Sequence, residues 1–266
     1  MNFLPTTVRI FICVVLFILL NAAFIAVAAC CAVLKCAAPD FSRRAVFASL
    51  RLTARIICFA ASRFGGVSLE FSGTQNIPAE PAVFVFNHIS ILDPLFVLAV
   101  VPNAAVVVKK KYEFVPAIWI MTHFFDFISL GDGGRGDLAA AMAKIDAVVG
   151  RGANLVVFPE GTRVAGERLG DFKVMAYRVA RKFGRKVVSG AIVASEEIFP
   201  KGSSVFAQKA GFSVKVDVLP AISSDAFKSA DAMCAASYRA SASGVPAGSV
   251  ACTLASWRRA KKVSSS

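Results

Sequence analysis

Apolar positions follow two regimes along the chain. Residues 10–34 carry no charged side chain, and Asn21 is the one clearly polar residue among them. A helix needs about 20 such residues to cross the hydrocarbon core of a bilayer. Beyond Val67 the pattern changes to short β-branched runs separated by longer stretches of helical period. The runs predict strands at 67–71, 82–86, 104–108, 127–130, 154–158, 187–193 and 212–219. The longer stretches predict helices over 94–101, 137–150, 173–183 and 224–241. Strands apolar on both faces and alternating with helices predict an α/β fold, a single mixed β-sheet flanked by helices.

Between the two regimes, Arg44, Arg51 and Arg55 fall on one face of a helical segment over 44–63, with Leu50, Ile56, Ile57 and Phe59 between them. Two readings stand: a basic amphipathic helix at the lipid headgroups, or a core helix with a solvated basic face. The chain therefore divides into a membrane anchor with an amphipathic helix (1–64) and an α/β domain (65–266). Arg9 precedes the apolar stretch, and Lys35, Arg43, Arg44, Arg51, Arg55 and Arg63 follow it. That asymmetry predicts a body on the cytoplasmic side, at the inner membrane or, in a eukaryotic cell, the endoplasmic reticulum. The stretch is too long for the core of a secretory signal. Val27-Ala28-Ala29-Cys30 loosely imitates a lipoprotein cleavage box, but cleavage there sends the body across the membrane. A re-entrant helix is the stronger rival to a full span. Segment 118–127, with Trp119, Met121, Phe124 and Phe125 but also His123 and Asp126, reads either as core or as a surface resting on the membrane.

Composition narrows the class. Hydrophobic residues make up 56% of the 266, which excludes a disordered chain and an ordinary highly charged soluble protein. Thirty Lys and Arg against 17 Asp and Glu give a net charge of +13. A chain both apolar and basic fits an anionic membrane surface, and no nucleic-acid motif is present. Of seven cysteines, Cys13, Cys30, Cys31 and Cys36 lie in or beside the first apolar stretch, and none has zinc-type spacing. This predicts a reduced body. The tail from Ser256 is short and basic, either frayed or touching lipid.

Two clusters carry candidate chemistry. In Phe86-Asn87-His88-Ile89-Ser90-Ile91-Leu92-Asp93-Pro94 a strand ends and a helix starts, with Asp93 as N-cap and Pro94 at the first helical position. His88 is one of two histidines and leaves a strand end, where α/β proteins place their sites. From the helix start Asp93 can reach back to a His88 in the loop, fix its tautomer and stabilise its charged form. Ser90 lacks a nucleophile elbow and reads as a turn cap; His123 reads as structural. In Phe158-Pro159-Glu160-Gly161-Thr162-Arg163 a second strand runs into a turn. Gly161 allows close backbone approach, and the Arg163 fork suits phosphate. The alternative there is a tight turn with an exposed ion pair.

Asn-His-x4-Asp followed by Phe-Pro-Glu-Gly-Thr-Arg resembles the glycerolipid acyltransferases, and more narrowly the 1-acyl-sn-glycerol-3-phosphate (lysophosphatidic acid) acyltransferase family. Lys111-Tyr112-Glu113-Phe114 resembles its Lys-x-Glu-Leu stretch, and Phe172-Lys173 its Phe-Lys. Two departures are visible. The family's Ile-Asp-Arg segment is replaced by Phe127-Ile128-Ser129-Leu130-Gly131-Asp132-Gly133-Gly134-Arg135, and the late strand lacks its proline. The resemblance implies a membrane-bound enzyme that moves a fatty acyl group from acyl-CoA or acyl carrier protein to the hydroxyl of lysophosphatidic acid, forming phosphatidic acid. It implies His88 as general base and Asp93 as its orienting partner. Glu160, Gly161, Thr162, Arg163, Lys111 and Arg135 are its acceptor-binding candidates, and Asn87 with peptide N–H groups near Gly161 are its oxyanion candidates. Thioester transfer requires no metal and no bound cofactor. The alternatives are another acceptor, such as lyso-ornithine lipid, and a non-catalytic lipid-binding membrane protein.

Overall fold

The computed structural model describes residues 5–131, 134–164, 169–195 and 213–243. The basic tail from Ser256 and Cys252 lie outside these residues. Seven strands form a mixed sheet flanked by helices, the fold class that the sequence pattern predicts. The described chain separates into two compact units, one of residues 1–69 and 94–156, the other of residues 70–93 and 157–266.

The first unit begins with two long helices, α1 (Thr6–Leu34) and α2 (Pro39–Arg63). Both are long and apolar enough to cross a membrane. They pack on each other as an antiparallel hairpin: Arg9 Nε donates to Phe64 O, so the start of α1 meets the end of α2. Hence α2 runs back along α1. Its Arg51 is spent inside the unit, donating to Val100 O at 3.0 Å, while Arg44 and Arg55 are exposed. Strand β3 (Ala104–Lys109) pairs in parallel with β4 (Ile128–Leu130) on one side and β5 (Asn154–Val157) on the other. The all-buried β5 and the buried start of β3 explain their unbroken apolar sequence. Helices α3 (Asp93–Val100), α4 (Pro116–Phe124) and α5 (Arg135–Gly150) complete the unit. Helix α4, with a proline in its first turn, was not among the predicted helices: nine mostly apolar residues show no clear helical period.

In the second unit the strand order is β1 (Ser68–Ser72), β7 (Ser213–Val218), β6 (Val187–Ala194), β2 (Val83–Phe86). β2 and β6 are parallel, and β6 and β7 antiparallel. Helices α6 (Met175–Lys182) and α7 (Ala230–Ser243) cover this part. The helix predicted over 224–241 starts later, because Ser229 Oγ accepts the Ala232 N–H and caps α7 at its true start. A buried hydroxyl chain ties both helices to β6: Tyr177 Oη donates to Ser237 Oγ at 2.8 Å, and Ser237 Oγ lies 2.6 Å from Ser189 Oγ. Burial pushes the Tyr177 hydroxyl well up.

Gly190 of β6 stands opposite Phe86, the last residue of β2. A Cβ there would lie 2.0 Å from Phe86 Cε1. Gly190→Ala is therefore expected to cost about 1–3 kcal/mol through overpacking. Urea unfolding in detergent measures this, and an unchanged midpoint would refute the packing argument.

Candidate active site

The site is built at the end of β2. Asn87 follows Phe86 and is buried. Its Nδ2 donates to Ile192 O at 2.9 Å, and its Oδ1 accepts the Ile192 N–H at 2.6 Å. The amide copies a backbone pair and continues the β2–β6 connection by one side chain. The amide oxygen and one amide hydrogen are thus committed to β6, which braces the residue beside His88 and leaves one Nδ2 hydrogen for its proposed oxyanion role.

That neighbour is His88. Residues 89–92 turn back on themselves, and the Asp93 carboxylate fills the turn. Its Oδ2 accepts from Ile89 N and Ser90 N at 2.7 Å each and lies 2.8 Å from His88 Nδ1. Ser90 Oγ accepts the Leu92 N–H at 3.2 Å and so caps the turn. Asp93 is fully buried. Burial pushes its carboxyl up, and the His88 ring and the two amides pull it back down. The Phe158 ring covers the imidazole, centroid to centroid 4.6 Å. Among the described residues nothing bonds Nε2. With Nδ1–H held by Asp93, Nε2 is the basic nitrogen left to react.

The second cluster clasps the same residue. Glu160 Oε1 accepts the His88 N–H at 3.4 Å, and Val164 N donates to His88 O at 2.8 Å. Both peptide groups of His88 are thus gripped by the turn that carries Glu160. Gly161, at φ +68°, permits the tight return, and Gly161 N donates to Phe158 O at 3.0 Å. Glu160 is buried, only 7% exposed. Its Oε2 packs against Gly170, where a Cβ would stand 3.1 Å away. Burial pushes this carboxyl up to about 8, against the pull of the His88 and Gly170 amides. Glu160 therefore faces the His88 backbone, and among the described residues it forms no ion pair with Arg163, the alternative that the sequence offered for this turn.

Thr162 is exposed and Arg163 half-buried on the same turn. Lys173 is a residue that the sequence reading noted only in passing. Its Nζ lies 2.8 Å from the point a Gly161 Cβ would occupy, and its N–H donates to Pro159 O at 3.0 Å. The other two acceptor candidates belong to the first unit. Lys111 is exposed in the turn after β3, its Nζ over the Tyr112 ring, and Arg135 is exposed at the start of α5.

The acyltransferase family matches over residues 68–193. Over 138 residues the chain is 31% identical to the chloroplastic 1-acyl-sn-glycerol-3-phosphate acyltransferase LPAT1 of Arabidopsis thaliana, an alignment covering 51% of this chain and 38% of that protein. It is 28% identical to a 1-acyl-sn-glycerol-3-phosphate acyltransferase of Borreliella burgdorferi over 159 residues, 59% of this chain and 62% of that one. The chain thus spans well under half the length of the plant relative. The chain shares its fold with the crystal structure of the 1-acyl-sn-glycerophosphate acyltransferase PlsC of Thermotoga maritima. The TM-score is 0.72 at 19% identity, over 90% of this chain and 96% of that one.

The burial of Glu160 sets a pH dependence. Below 4.5 both folded and unfolded states carry the proton; between 4.5 and about 8 only the folded state does; above about 8 the folded state buries an anion. Stability from this group is therefore lost as pH rises through that interval. Glu160→Gln is expected to flatten the decline while keeping an acceptor for the His88 N–H. Unfolding midpoints of both proteins against pH check this, and parallel profiles would count against it.

Proposed function

We propose that this chain moves a fatty acyl group from a thioester, acyl-CoA or acyl carrier protein, to the free hydroxyl of lysophosphatidic acid at a membrane, forming phosphatidic acid. One observation carries the reading: His88 is held by Asp93 through Nδ1, at 2.8 Å, and among the described residues Nε2 has no partner. The acceptor hydroxyl gives its proton to Nε2 as its oxygen attacks the thioester carbonyl. The oxyanion collapses and the thiolate leaves, taking up a proton. Asp93 stabilises the imidazolium between these steps. The acceptor is itself the nucleophile, so no acyl-enzyme is required. Asn87 Nδ2 and peptide N–H groups near Gly161 are the oxyanion donors.

Glu160 supports the base by fixing the His88 peptide. Arg163 and Thr162, on the exposed side of the turn, take the acceptor phosphate and glycerol. The resemblance of the flanking motifs adds Lys111 and Arg135 to the positive charge for that phosphate. Helices α1 and α2 are the proposed membrane attachment, and the excess of basic residues after α1 favours the cytoplasmic side. The displaced Arg135 keeps one further reading open, a different lysolipid acceptor.

His88→Ala should abolish acyl transfer in membranes supplied with lysophosphatidic acid and a labelled acyl thioester, with the protein still folded. Retention of most activity would refute the base. Asp93→Asn should lower kcat on the order of 10²–10⁴-fold. Arg163→Ala should chiefly raise the KM for the phosphorylated acceptor, and an unchanged KM would remove Arg163 from the phosphate. Product with other lysolipids alone would keep the mechanism and change the acceptor. Silence with every acceptor and both donors would favour a non-catalytic lipid-binding protein.

A further inference from the structure

Helix α4 packs against α1 and is tied to its end: Lys35, just past α1, donates through Nζ to Phe124 O, the last residue of α4. The free side of α4 is aromatic. Trp119 is 44% exposed and Phe124 39% exposed. The Trp119 ring stacks on His123 at 4.8 Å and meets Phe124 edge-on at 5.6 Å. Phe114, just before the helix, is 79% exposed. This patch borders the end of α1, where Val33 and Leu34 are exposed as well.

Cations gather at the same end. Lys144 Nζ donates to Thr122 O, and Arg43 and Arg151 both pair with the buried Asp126, Arg151 at 2.8 Å. Asp126 and Glu113 are the carboxylates that act on Lys144. Asp40 stands three residues before Arg43 on α2 and Asp146 two after Lys144 on α5. With the exposed Arg44 the corner carries five cations against these four carboxylates, and Asp126 is already shared by two of them. Bonds to neutral carbonyls fix Lys35 and Lys144 in place without cancelling their charge.

We propose that this corner is a second membrane contact, with Trp119 and Phe124 seated at the headgroup level and the surrounding cations drawing anionic phospholipid phosphates to it. The inference rests on the membrane attachment proposed above. An indole prefers the interface because its body is apolar and its N–H seeks water or phosphate. Basic side chains beside it add attraction to anionic headgroups. A polar protein partner offers no matching reason for aromatic surface continuous with α1.

Tryptophan fluorescence tests this directly, because the chain has two tryptophans and Trp257→Phe leaves Trp119 alone. The full-length variant is reconstituted into phosphatidylcholine vesicles with or without phosphatidylglycerol, carrying lipids brominated at shallow or deep acyl positions. Flotation first reports attachment. Trp119 emission is expected to shift to the blue and to lose most of its intensity to the shallow bromines. The loss should be greater with phosphatidylglycerol and should shrink in high salt. Attached protein with water-like, unquenched Trp119 would overturn the contact. A blue-shifted but bromine-insensitive Trp119 would overturn it in favour of a protein partner. Equal quenching without phosphatidylglycerol would overturn the anionic headgroup. Failure to float would instead strike the attachment itself.

Discussion

A carboxylate with no exposed surface is costly unless donors reach it, and the site rests on how Asp93 meets that demand through a single oxygen, Oδ2. Three N–H groups converge on its Oδ2, from the peptides of Ile89 and Ser90 and from the His88 ring. The peptide donors force residues 89–92 into a turn, and the turn places Asp93 beside His88. Five residues of separation could not do this on a regular helix. Folding the loop and choosing the histidine tautomer are thus one event: whatever satisfies Asp93 also leaves Nε2 as the basic nitrogen.

The same economy extends outward. A general base must hold its position while a proton moves onto it, and an imidazole on a mobile loop would not. Here the His88 peptide is gripped on both sides, its N–H by Glu160 and its carbonyl by Val164 N. The residue before it is locked to β6 through the Asn87 amide. A neutral Glu160 suits this work better than a charged one, since it can be buried against Gly170 without a counter-ion. The segment that bears Arg163 is therefore also the one that holds His88, so the proposed phosphate contact and the proposed proton acceptor are set by one short stretch of chain.

How far the sequence reveals this depends on what each residue type signals. The strands were readable because β-branched runs bounded by turn residues have few other uses, and His88 with Asp93 because a carboxylate at a helix start can reach back one turn. Glu160 was not readable in the same way. A glutamate next to Gly and Arg looks exposed, and nothing in the letters reports that its carboxyl is buried against a backbone. Asn87 was legible only in part: an amide beside a catalytic candidate suggests a donor, but its structural partner, Ile192, is 105 residues away. Helix α4 escaped because nine mostly apolar residues have no clear polar face to give a period, although Pro116 marks its start. The segment over 44–63 was readable as a helix, but its antiparallel pairing with α1 depends on contacts such as Arg9 with Phe64 that no local pattern encodes.

Net charge is the clearest case of a signal that composition states and structure redistributes. A total of +13 suggests one basic surface facing an anionic partner. In the folded chain many cations already have tasks: Arg9 on Phe64 O, Arg51 on Val100 O, Arg181 on Phe227 O, Arg43 and Arg151 on Asp126. Most of these partners are neutral carbonyls. A guanidinium or ammonium bonded to a carbonyl keeps its full charge but loses its freedom to choose where that charge stands. The field of the protein is then set by the fold, and it is strong only where such fixed cations crowd together with few carboxylates between them. At the junction of α1, α2 and α4 this crowding coincides with exposed aromatic rings, and two independent demands of a lipid surface, apolar area and positive charge, are met at one place.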